Sequence, residues 1–331
     1  MISTPRVLDE DDVVAAIREI VGVPTTARIS LGIGDDAALW QPSRSHRAAI
    51  TSDSLVEGVH FSRDTMTLED AGWRAMMANA SDLAAMGARP LLATVSLAFP
   101  VERNVEEIYE LYRGLAAAAR AAKLVIVGGD LSRAPVVAVS IAAVGEVRAS
   151  NVKTRAGARP GDAIATTGPL GAARAGLRAA TQPELLCERD LETALAAFRR
   201  PQARSDEGRF LAASRNVHAM MDCSDGLSTD LDRLCTASGV GAKIDRIPVA
   251  GAAKALAHRL GEDAEAFALA GGEDFELLVA IGSRAFRSIA SRFSKRFHRP
   301  LEPIGTVRSQ GGIEFRGALL ARTGWDHFEV L

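Results

Sequence analysis

The stretch LGIGDDAALW, residues 31–40, decides which fold class the chain is assigned to. From residue 32 it reads Gly-x-Gly-x-x-Ala, the spacing of a dinucleotide-binding turn, and Asp53 lies about 20 residues further on, where that pattern places an acidic residue for a ribose. However, Asp35 and Asp36 occupy the variable positions. The stretch therefore indicates either a nicotinamide-dependent dehydrogenase, whose pyrophosphate would face two carboxylates, or a loop whose aspartates have another role.

Length and composition favour an ordinary globular protein with two domains. The chain has 331 residues, of which 47% are hydrophobic and 24% charged, and a single core rarely serves so long a chain. The net charge of −2 provides no overall field for nucleic acid or an anionic membrane, and the longest apolar run, 136–144, is far below the roughly 20 residues that span a bilayer. Three cysteines without a C-x-x-C pair, and an N-terminal region without a hydrophobic signal core, favour a cytoplasmic location.

Strand and helix patterns alternate in both halves, which predicts an α/β or α+β fold. The first half predicts helices over 9–20, 69–87 and 103–122 and strands over 47–51, 91–99, 124–127 and 136–147. The second half predicts strands over 217–222 and 275–281 and a helix over 283–296. The stretch 148–162 is rich in Gly, Arg and Pro and has no apolar period, so we place the boundary there, with domains 1–148 and 149–331.

Aspartates beside glycine or serine recur at predicted strand ends and loop starts. They are Asp35, Asp36, Asp53, Asp82, Asp130, Asp222 and Asp225, with Glu273 and Asp274 in a similar setting. Carboxylates gathered in one place repel one another, and several Mg²⁺ ions shared with a polyphosphate would balance their charge. Positioning and charge neutralisation are most of what phosphoryl transfer requires. The chain has neither the G-x-x-x-x-G-K-[ST] motif nor the protein-kinase motifs, which excludes those two folds.

Taken singly, these features also have ordinary structural interpretations. Asp, Ser and Gly are the standard residues of turns, and Asp225 would serve as a helix cap. Asp82 would be a polar residue on a solvent-facing helix side, and His60 and Arg155 would be packed or solvated residues. Trp325 would anchor the chain terminus. The functional interpretation depends on the whole set, because independent turns would not pair aspartate with glycine or serine so often.

The set of motifs, in order, resembles the thiamine-monophosphate kinases of the aminoimidazole-ribonucleotide synthetase superfamily. The motifs are GIGDDAAL, TSDSLVEGVHF, NASDLAAMGARP, VGGDLSR, TRAGARPGD, DCSDGLSTDL, GGEDFEL and GWDHF, and they extend from about residue 31 to 328. The resemblance implies a two-domain α/β (α+β) fold, an N-terminal sheet that forms a dimeric β-barrel, and a cleft for ATP and metals. It also implies direct, in-line transfer of the γ-phosphoryl group of ATP to thiamine monophosphate, assisted by several Mg²⁺ ions, in a homodimer without nucleic-acid or membrane partners. A requirement for a monovalent cation stays open.

The resemblance assigns roles to individual residues. The implied metal ligands are Asp36, Thr51, Ser52, Asp53, Asp82, Asp130, Asp222 and Asp225. The implied ATP contacts are Tyr112, Gly129, Asp130, Arg155 and Ser224, and the implied substrate contacts are His60, Glu273 and Trp325. No side chain is implied as a covalent catalyst. An aromatic ring such as that of Trp325 suits the cationic thiazolium or the pyrimidine of thiamine.

Four other functions compete with this one. Aminoimidazole-ribonucleotide synthetase is the nearest alternative within the superfamily, although the GGEDFEL and GWDHF motifs favour the thiamine enzyme. Selenophosphate synthetase requires a reactive Cys or selenocysteine in an N-terminal loop, whereas the first cysteine here is Cys187. A non-catalytic cation or nucleotide sensor is a further alternative, and the dehydrogenase suggested by residues 31–40 is the last.

Overall fold

The computed structural model describes residues 10–22, 28–33 and 37–324. Its N-terminal half contains α1 (Glu10–Val21), β1 (Ile29–Leu31), β2 (Leu39–Trp40), β3 (His46–Val56), α2 (Leu68–Ala85), β4 (Arg89–Phe99), α3 (Glu106–Ala122), β5 (Val125–Arg133) and β6 (Ala138–Arg148). The C-terminal half contains β7 (Ala163–Thr166), α4 (Ala172–Thr181), α5 (Glu188–Arg199), α6 (Ser205–Ala212), β8 (Val217–Asp222), α7 (Leu227–Ser238), β9 (Gly241–Ile244), α8 (Gly251–Leu260), α9 (Ala264–Leu269), β10 (Leu277–Ile281), α10 (Ser283–Phe297), β11 (Glu302–Arg308), β12 (Gly312–Phe315) and β13 (Ala318–Leu319).

The N-terminal half is built on a four-stranded sheet in the order β3-β6-β4-β5. β3 pairs antiparallel with β6 along its whole length, and β4 lies antiparallel to β6 and parallel to β5. Leu97 and Ile141 are fully buried in the core that this sheet forms with α2 and α3. β3 and β5 are the edge strands, and Ile50 on β3 is 74% exposed. Within one chain this sheet is therefore open at two long edges.

The C-terminal half is built on a seven-stranded sheet in the order β13-β12-β9-β11-β7-β10-β8. Its neighbouring strands run antiparallel except for the parallel pair β9 and β12. α7 covers one face through Leu231 and Leu234. α6 and α10 cover the other face, where Phe293 contacts Phe210 edge-on at 6.1 Å between ring centroids and lies 4.9 Å from Phe297. The mixed sheets place the chain in the α+β variant of the predicted class.

Close backbone contacts join the two halves. Gly208 in α6 lies against α2, and a Cβ atom there would be 3.0 Å from the carbonyl carbon of Ala84. The indole N–H of Trp73 in α2 donates a hydrogen bond of 2.8 Å to the carbonyl of Pro201. Both the first part and the last turn of α2 are thus packed directly against the C-terminal half.

Two predicted boundaries are wrong in a way that matters for the site. β5 continues through Gly129 and Asp130 instead of ending at residue 127, and Asp53 lies inside β3. Position 129 requires glycine because β4 lies very close to it. A Cβ atom there would be 2.8 Å from the carbonyl carbon of Val95. These two aspartates therefore do not follow strand ends.

Within the described residues, no helix combines the length and the apolar character that a membrane crossing requires.

Candidate active site

A cavity of about 820 Å³ opens between the two halves. Side chains of β3, α2 and the loops after β8 and before β10 line it, together with the loop after β6. Eight residues predicted from the sequence are among them: Asp53, His60, Asp82, Arg155, Asp222, Ser224, Asp225 and Glu273. The fold thus brings most of the predicted site residues to one place.

α2 and β3 position the acidic centre of the cavity. α2 begins at Thr67, whose hydroxyl accepts a backbone hydrogen bond as an N-cap. Asn79 and Asp82 lie three residues apart in α2 and therefore on one side of the helix. The backbone N–H of Asp53 donates to Asn79 Oδ1 at 3.2 Å, and the hydroxyl of Thr51 donates to Asp82. Asp82 thus faces β3 and the cavity, and the solvent-facing interpretation is wrong.

A hydrogen bond between the halves completes this centre. Asp222 is the last residue of β8, and its Oδ2 accepts a hydrogen bond of 2.6 Å from the hydroxyl of Ser81 in α2. Both side chains are buried, with Ser81 at 0% and Asp222 at 3% exposure. The cavity therefore has lining residues from both halves of the chain, which this buried hydrogen bond joins.

The three carboxylates of this centre resist ionisation. Burial, followed by the charges of Asp82 and Asp225, raises the pKa of Asp53 to about 6. Burial, followed by the charge of Asp82, raises the pKa of Asp222 to about 7. Burial also raises the pKa of Asp82, although the Thr51 hydrogen bond and Arg155 act in the opposite direction. Desolvation and mutual repulsion thus disfavour the charged forms of all three carboxylates, an effect that a bound cation would offset.

The donor set fits a hard divalent cation. Carboxylate and hydroxyl oxygens converge from Asp53, Asp82, Asp222 and Thr51, and Mg²⁺ prefers few protein oxygens, with phosphate and water completing its shell. In the described part of the chain, no three His, Cys, Asp or Glu side chains are already arranged to hold a metal ion by themselves.

A tight loop after β8 presents the next predicted residues. The carboxylate of Asp230 accepts hydrogen bonds from the backbone N–H groups of Ser224, Asp225 and Gly226 at 3.0, 3.0 and 3.1 Å. Asp225 itself forms an ion pair with Arg233. Asp230, and not Asp225, therefore holds the turn that begins α7, which corrects the helix-cap alternative, and the Asp225 side chain is turned toward the cavity.

The opposite end of the cavity contains an ion pair with one buried partner. Arg74 in α2 is 2% exposed and pairs with Glu273, which follows the glycines of GGEDFEL. The Arg74 guanidinium also donates a hydrogen bond of 3.2 Å to the carbonyl of Phe198 and lies 4.6 Å from the centre of its ring. Burial lowers the pKa of Arg74 to about 9, which still leaves it charged near neutral pH. Glu273 is therefore fixed in place from the N-terminal half.

His60 also lines the cavity. The backbone N–H of Val56 donates a hydrogen bond of 3.1 Å to His60 Nδ1. Because Nδ1 accepts, the proton of the neutral ring is on Nε2. The other ring nitrogen is thus a donor.

Five predicted residues do not line the cavity of a single chain: Thr51, which reaches it only through its hydrogen bond to Asp82, and Ser52, Tyr112, Gly129 and Asp130. In the sheet register, Asp53 stands opposite Ile141, then Val95, then Gly129, which places Asp130 at the far edge of the sheet. Three strand spacings separate the two edges by about 14 Å. Asp130 is instead close to buried Tyr112, whose pKa is raised by burial and by that charge.

Asp36 and Trp325 lie outside the described residues, as do Gly34 and Asp35 of the opening motif. Their predicted roles stay predictions.

Sequence reasoning missed three residues that shape the cavity: Arg74, Ser81 and Asp230. Arg74 had a sequence signal, because it is the one charged residue in the otherwise uncharged run AGWRAMMANAS. Asp230 had a weaker signal as a second aspartate following the SDG turn. Ser81 had none, because its importance depends on β8 lying beside α2.

Two family models match most of the chain. The model described as AIR synthase related protein, N-terminal domain, matches residues 34–147, and its C-terminal counterpart matches residues 159–317.

Individual relatives are similar over nearly the same extent. The thiamine-monophosphate kinase of Synechococcus elongatus is 38% identical over 253 residues, which are 75% of this chain and 76% of the relative. The crystal structure of thiamine-monophosphate kinase from Stenotrophomonas maltophilia K279a has a TM-score of 0.82 and 33% identity, and the match covers 94% of this chain and 96% of that one. A structure described as AaThiL complexed with AMPPCP and TMP has a TM-score of 0.77 and 30% identity, and the match covers 98% of this chain and 100% of that one.

Proposed function

This chain belongs to the thiamine-monophosphate kinase family of the AIR synthase related proteins, and from that membership we propose that it transfers the γ-phosphoryl group of ATP to the phosphate of thiamine monophosphate. The products are thiamine diphosphate and ADP. The observation that carries the proposal is the meeting of Asp53, Asp82 and Asp222 in a cavity shared by both halves. A family member described as complexed with AMPPCP and TMP supports ATP and thiamine monophosphate as the two substrates.

The chain's own residues bind and orient the phosphates. Asp53, Asp82 and Asp222, with Asp36, Thr51, Ser52 and Asp225, would hold several Mg²⁺ ions, and Asp130 would join them from a second subunit. Bound Mg²⁺ supplies charge neutralisation for the transferred group. The guanidinium of Arg155 binds a phosphate of ATP, and Ser224 contacts the nucleotide. The acceptor phosphate attacks in line, so no side chain carries a phosphoryl group.

The other end of the cavity would bind the thiamine part of the substrate. Glu273 places a carboxylate there, which suits the positive thiazolium ring, and Arg74 fixes that carboxylate. His60 lines the same cavity and would contact the substrate there. Trp325 would stack on one of the two rings.

We also propose a cytoplasmic homodimer closed through the N-terminal sheets. β3 and β5 have open edges, and pairing β3 of one chain with β5 of another would join two four-stranded sheets into a barrel without edges. The exposed Ile50 supports a partner on this side. The same pairing would place Asp130 of the partner subunit beside Asp53, which resolves the separation of the two residues within one chain.

A direct assay tests the activity. Purified protein with ATP, Mg²⁺ and thiamine monophosphate should form thiamine diphosphate, and an aminoimidazole-ribonucleotide precursor should not be consumed. Turnover of the purine precursor without diphosphate formation would assign the chain to the alternative enzyme. Omitting K⁺ from the buffer tests the requirement for a monovalent cation.

Two variants test the acidic centre. Asp82→Asn should lose most activity and keep its circular dichroism spectrum, whereas Asp245→Asn, at an exposed aspartate outside the cavity, should retain activity. Full activity of Asp82→Asn would show that the metal site lies elsewhere.

Mixing two inactive variants tests the shared site. If Asp130 acts across the dimer, exchange of subunits between Asp53→Asn and Asp130→Asn should restore about one quarter of wild-type activity, because half of the dimers then have one intact site. Two variants that stay inactive after verified subunit exchange would place Asp53 and Asp130 in the same subunit's site or in no common site.

A further inference from the structure

A second cavity, of about 510 Å³, lies between α6 and α10. Its cationic lining consists of Arg209, Arg215, Arg292 and Arg296, and its apolar floor includes Phe210 and Ile289. It shares no lining residue with the catalytic cavity. It is therefore a separate feature of the surface, on the far side of α6 from α2.

Most of the positive charge in this cavity is not neutralised by the protein. Asp206 is the one acidic residue of the lining, and it lies 3.5 Å from Arg209 and 3.2 Å from the ammonium of Lys123. Among the described residues, no carboxylate forms an ion pair with Arg215, Arg292 or Arg296, although most arginines in ion pairs elsewhere have a carboxylate within 3.2 Å. An overall negative chain thus carries a concentrated positive pocket.

The sequence of α10 explains how the charge is maintained. SRAFRSIASRFSKRF contains no acidic residue that would pair with its arginines along the helix. The guanidinium of Arg292 lies 6.0 Å from the ring centre of Phe210, and that of Arg296 lies 5.5 Å from the ring centre of Phe297. These cation–π contacts hold the arginine stems against the aromatic core of the C-terminal half.

We propose that this cavity binds a small anion that carries two or more phosphate groups. Guanidinium groups bind phosphate oxygens in pairs of charge-assisted hydrogen bonds, and four arginines lining one cavity suit a diphosphate better than a single charge. The volume is that of a small-molecule site, and Phe210 and Ile289 provide a surface for an attached ring. The proposal does not depend on the identity of the reaction in the catalytic cavity.

Binding of inorganic pyrophosphate in the presence of EDTA tests the proposal by calorimetry. EDTA removes the divalent cations that would hold phosphates on the aspartates of the catalytic cavity. A parallel titration of Arg155→Gln separates any binding to the arginine of that cavity from binding in the second cavity. Wild-type protein should bind one pyrophosphate per chain, and more tightly than sulfate at the same ionic strength. Arg292→Gln/Arg296→Gln should bind at least roughly tenfold more weakly, a loss of about 1.4 kcal/mol.

A matched pair on the same helix provides the control. Arg284→Gln/Arg287→Gln removes the same charge from exposed positions outside the cavity and should keep wild-type affinity. Equal losses in both double variants would reduce the effect to general charge attraction and overturn the proposal, as would the absence of binding to wild-type protein. If Arg292→Gln/Arg296→Gln does not fold, Arg215→Gln, in the turn before β8, tests the same cavity from another element.

Discussion

The packing of α2 on α3 makes a quantitative prediction about Gly114. This residue lies in the middle of α3 against Glu69 of α2, and a Cβ atom there would be 2.7 Å from the Glu69 carbonyl carbon and 3.0 Å from its Cα. Gly72 in α2 makes the reciprocal contact, with the backbone N of Leu115 at 2.9 Å from its Cβ position. All of these neighbours are backbone atoms, which cannot move aside without moving a helix.

The magnitude follows from two opposing effects in the variant Gly114→Ala. Replacing a glycine by alanine inside a helix normally stabilises by about 1 kcal/mol. Forcing a methyl group into a closely packed contact costs about 3 kcal/mol when the helices must separate. The free energy of unfolding should therefore fall by about 2 kcal/mol, and the melting temperature by about 4–8 °C if the N-terminal half unfolds as a unit.

Urea denaturation followed by circular dichroism measures this change. The matched control is Gly251→Ala, at the first residue of α8, where a Cβ atom would meet nothing within 4 Å. Its stability should be unchanged or slightly greater. A Gly114→Ala protein that is as stable as wild type, with Gly251→Ala behaving as expected, would refute the close approach of α2 and α3.

Three further predictions follow from individual contacts. Ser81→Ala removes the hydrogen bond to the buried Asp222 carboxylate, so we expect a roughly tenfold higher Mg²⁺ concentration for half-maximal activity, and an unchanged Mg²⁺ titration would contradict this. The Arg28 hydrogen bonds lower the pKa of Glu146 to about 2, so its stabilisation is present above the unfolded-state pKa of about 4.3 and is lost as the pH falls toward 2. Melting curves between pH 5 and pH 2 should show a smaller acid dependence for Glu146→Gln than for wild type, and parallel curves would count against the assignment. Phe293→Ala should lower the free energy of unfolding by about 3–5 kcal/mol in urea, because its ring is fully buried against two others, and a loss below about 1 kcal/mol would show a loosely packed core.

The main elements of the fold were predictable because their patterns are long and strong. The strand VHAMMD was predicted at 217–222 and is β8, and the helix predicted over 69–87 is α2 at Leu68–Ala85. The order of the strands in each sheet was not predictable, and neither was the continuation of β5 through its two glycines. Gly128 and Gly129 favour a turn in isolation, yet both continue β5 in register with β4, and at Gly129 β4 approaches too closely for a side chain.

The acidic residues of the site were predictable from the sequence. The residues that hold them in position were not. The aspartates of SDLAAMG and DCSDG could be grouped because their residue types share one chemistry. Arg74 and Ser81 could not be assigned, because each acts through a partner that only the packing of the two halves brings near it. The relation between Asp53 and Asp130 depended on strand order, which local patterns do not contain.

The hydrogen bond from Ser81 to Asp222 has a consequence for protein engineering. Because one partner belongs to α2 and the other to β8, the spacing of the acidic groups and the relative orientation of the two halves are the same structural variable. Substitutions chosen to strengthen the interface around α2 and α6 will therefore also alter how the carboxylates converge. Thermostabilised versions of this chain are best selected by turnover and melting temperature together, since improvement in one gives no assurance of the other.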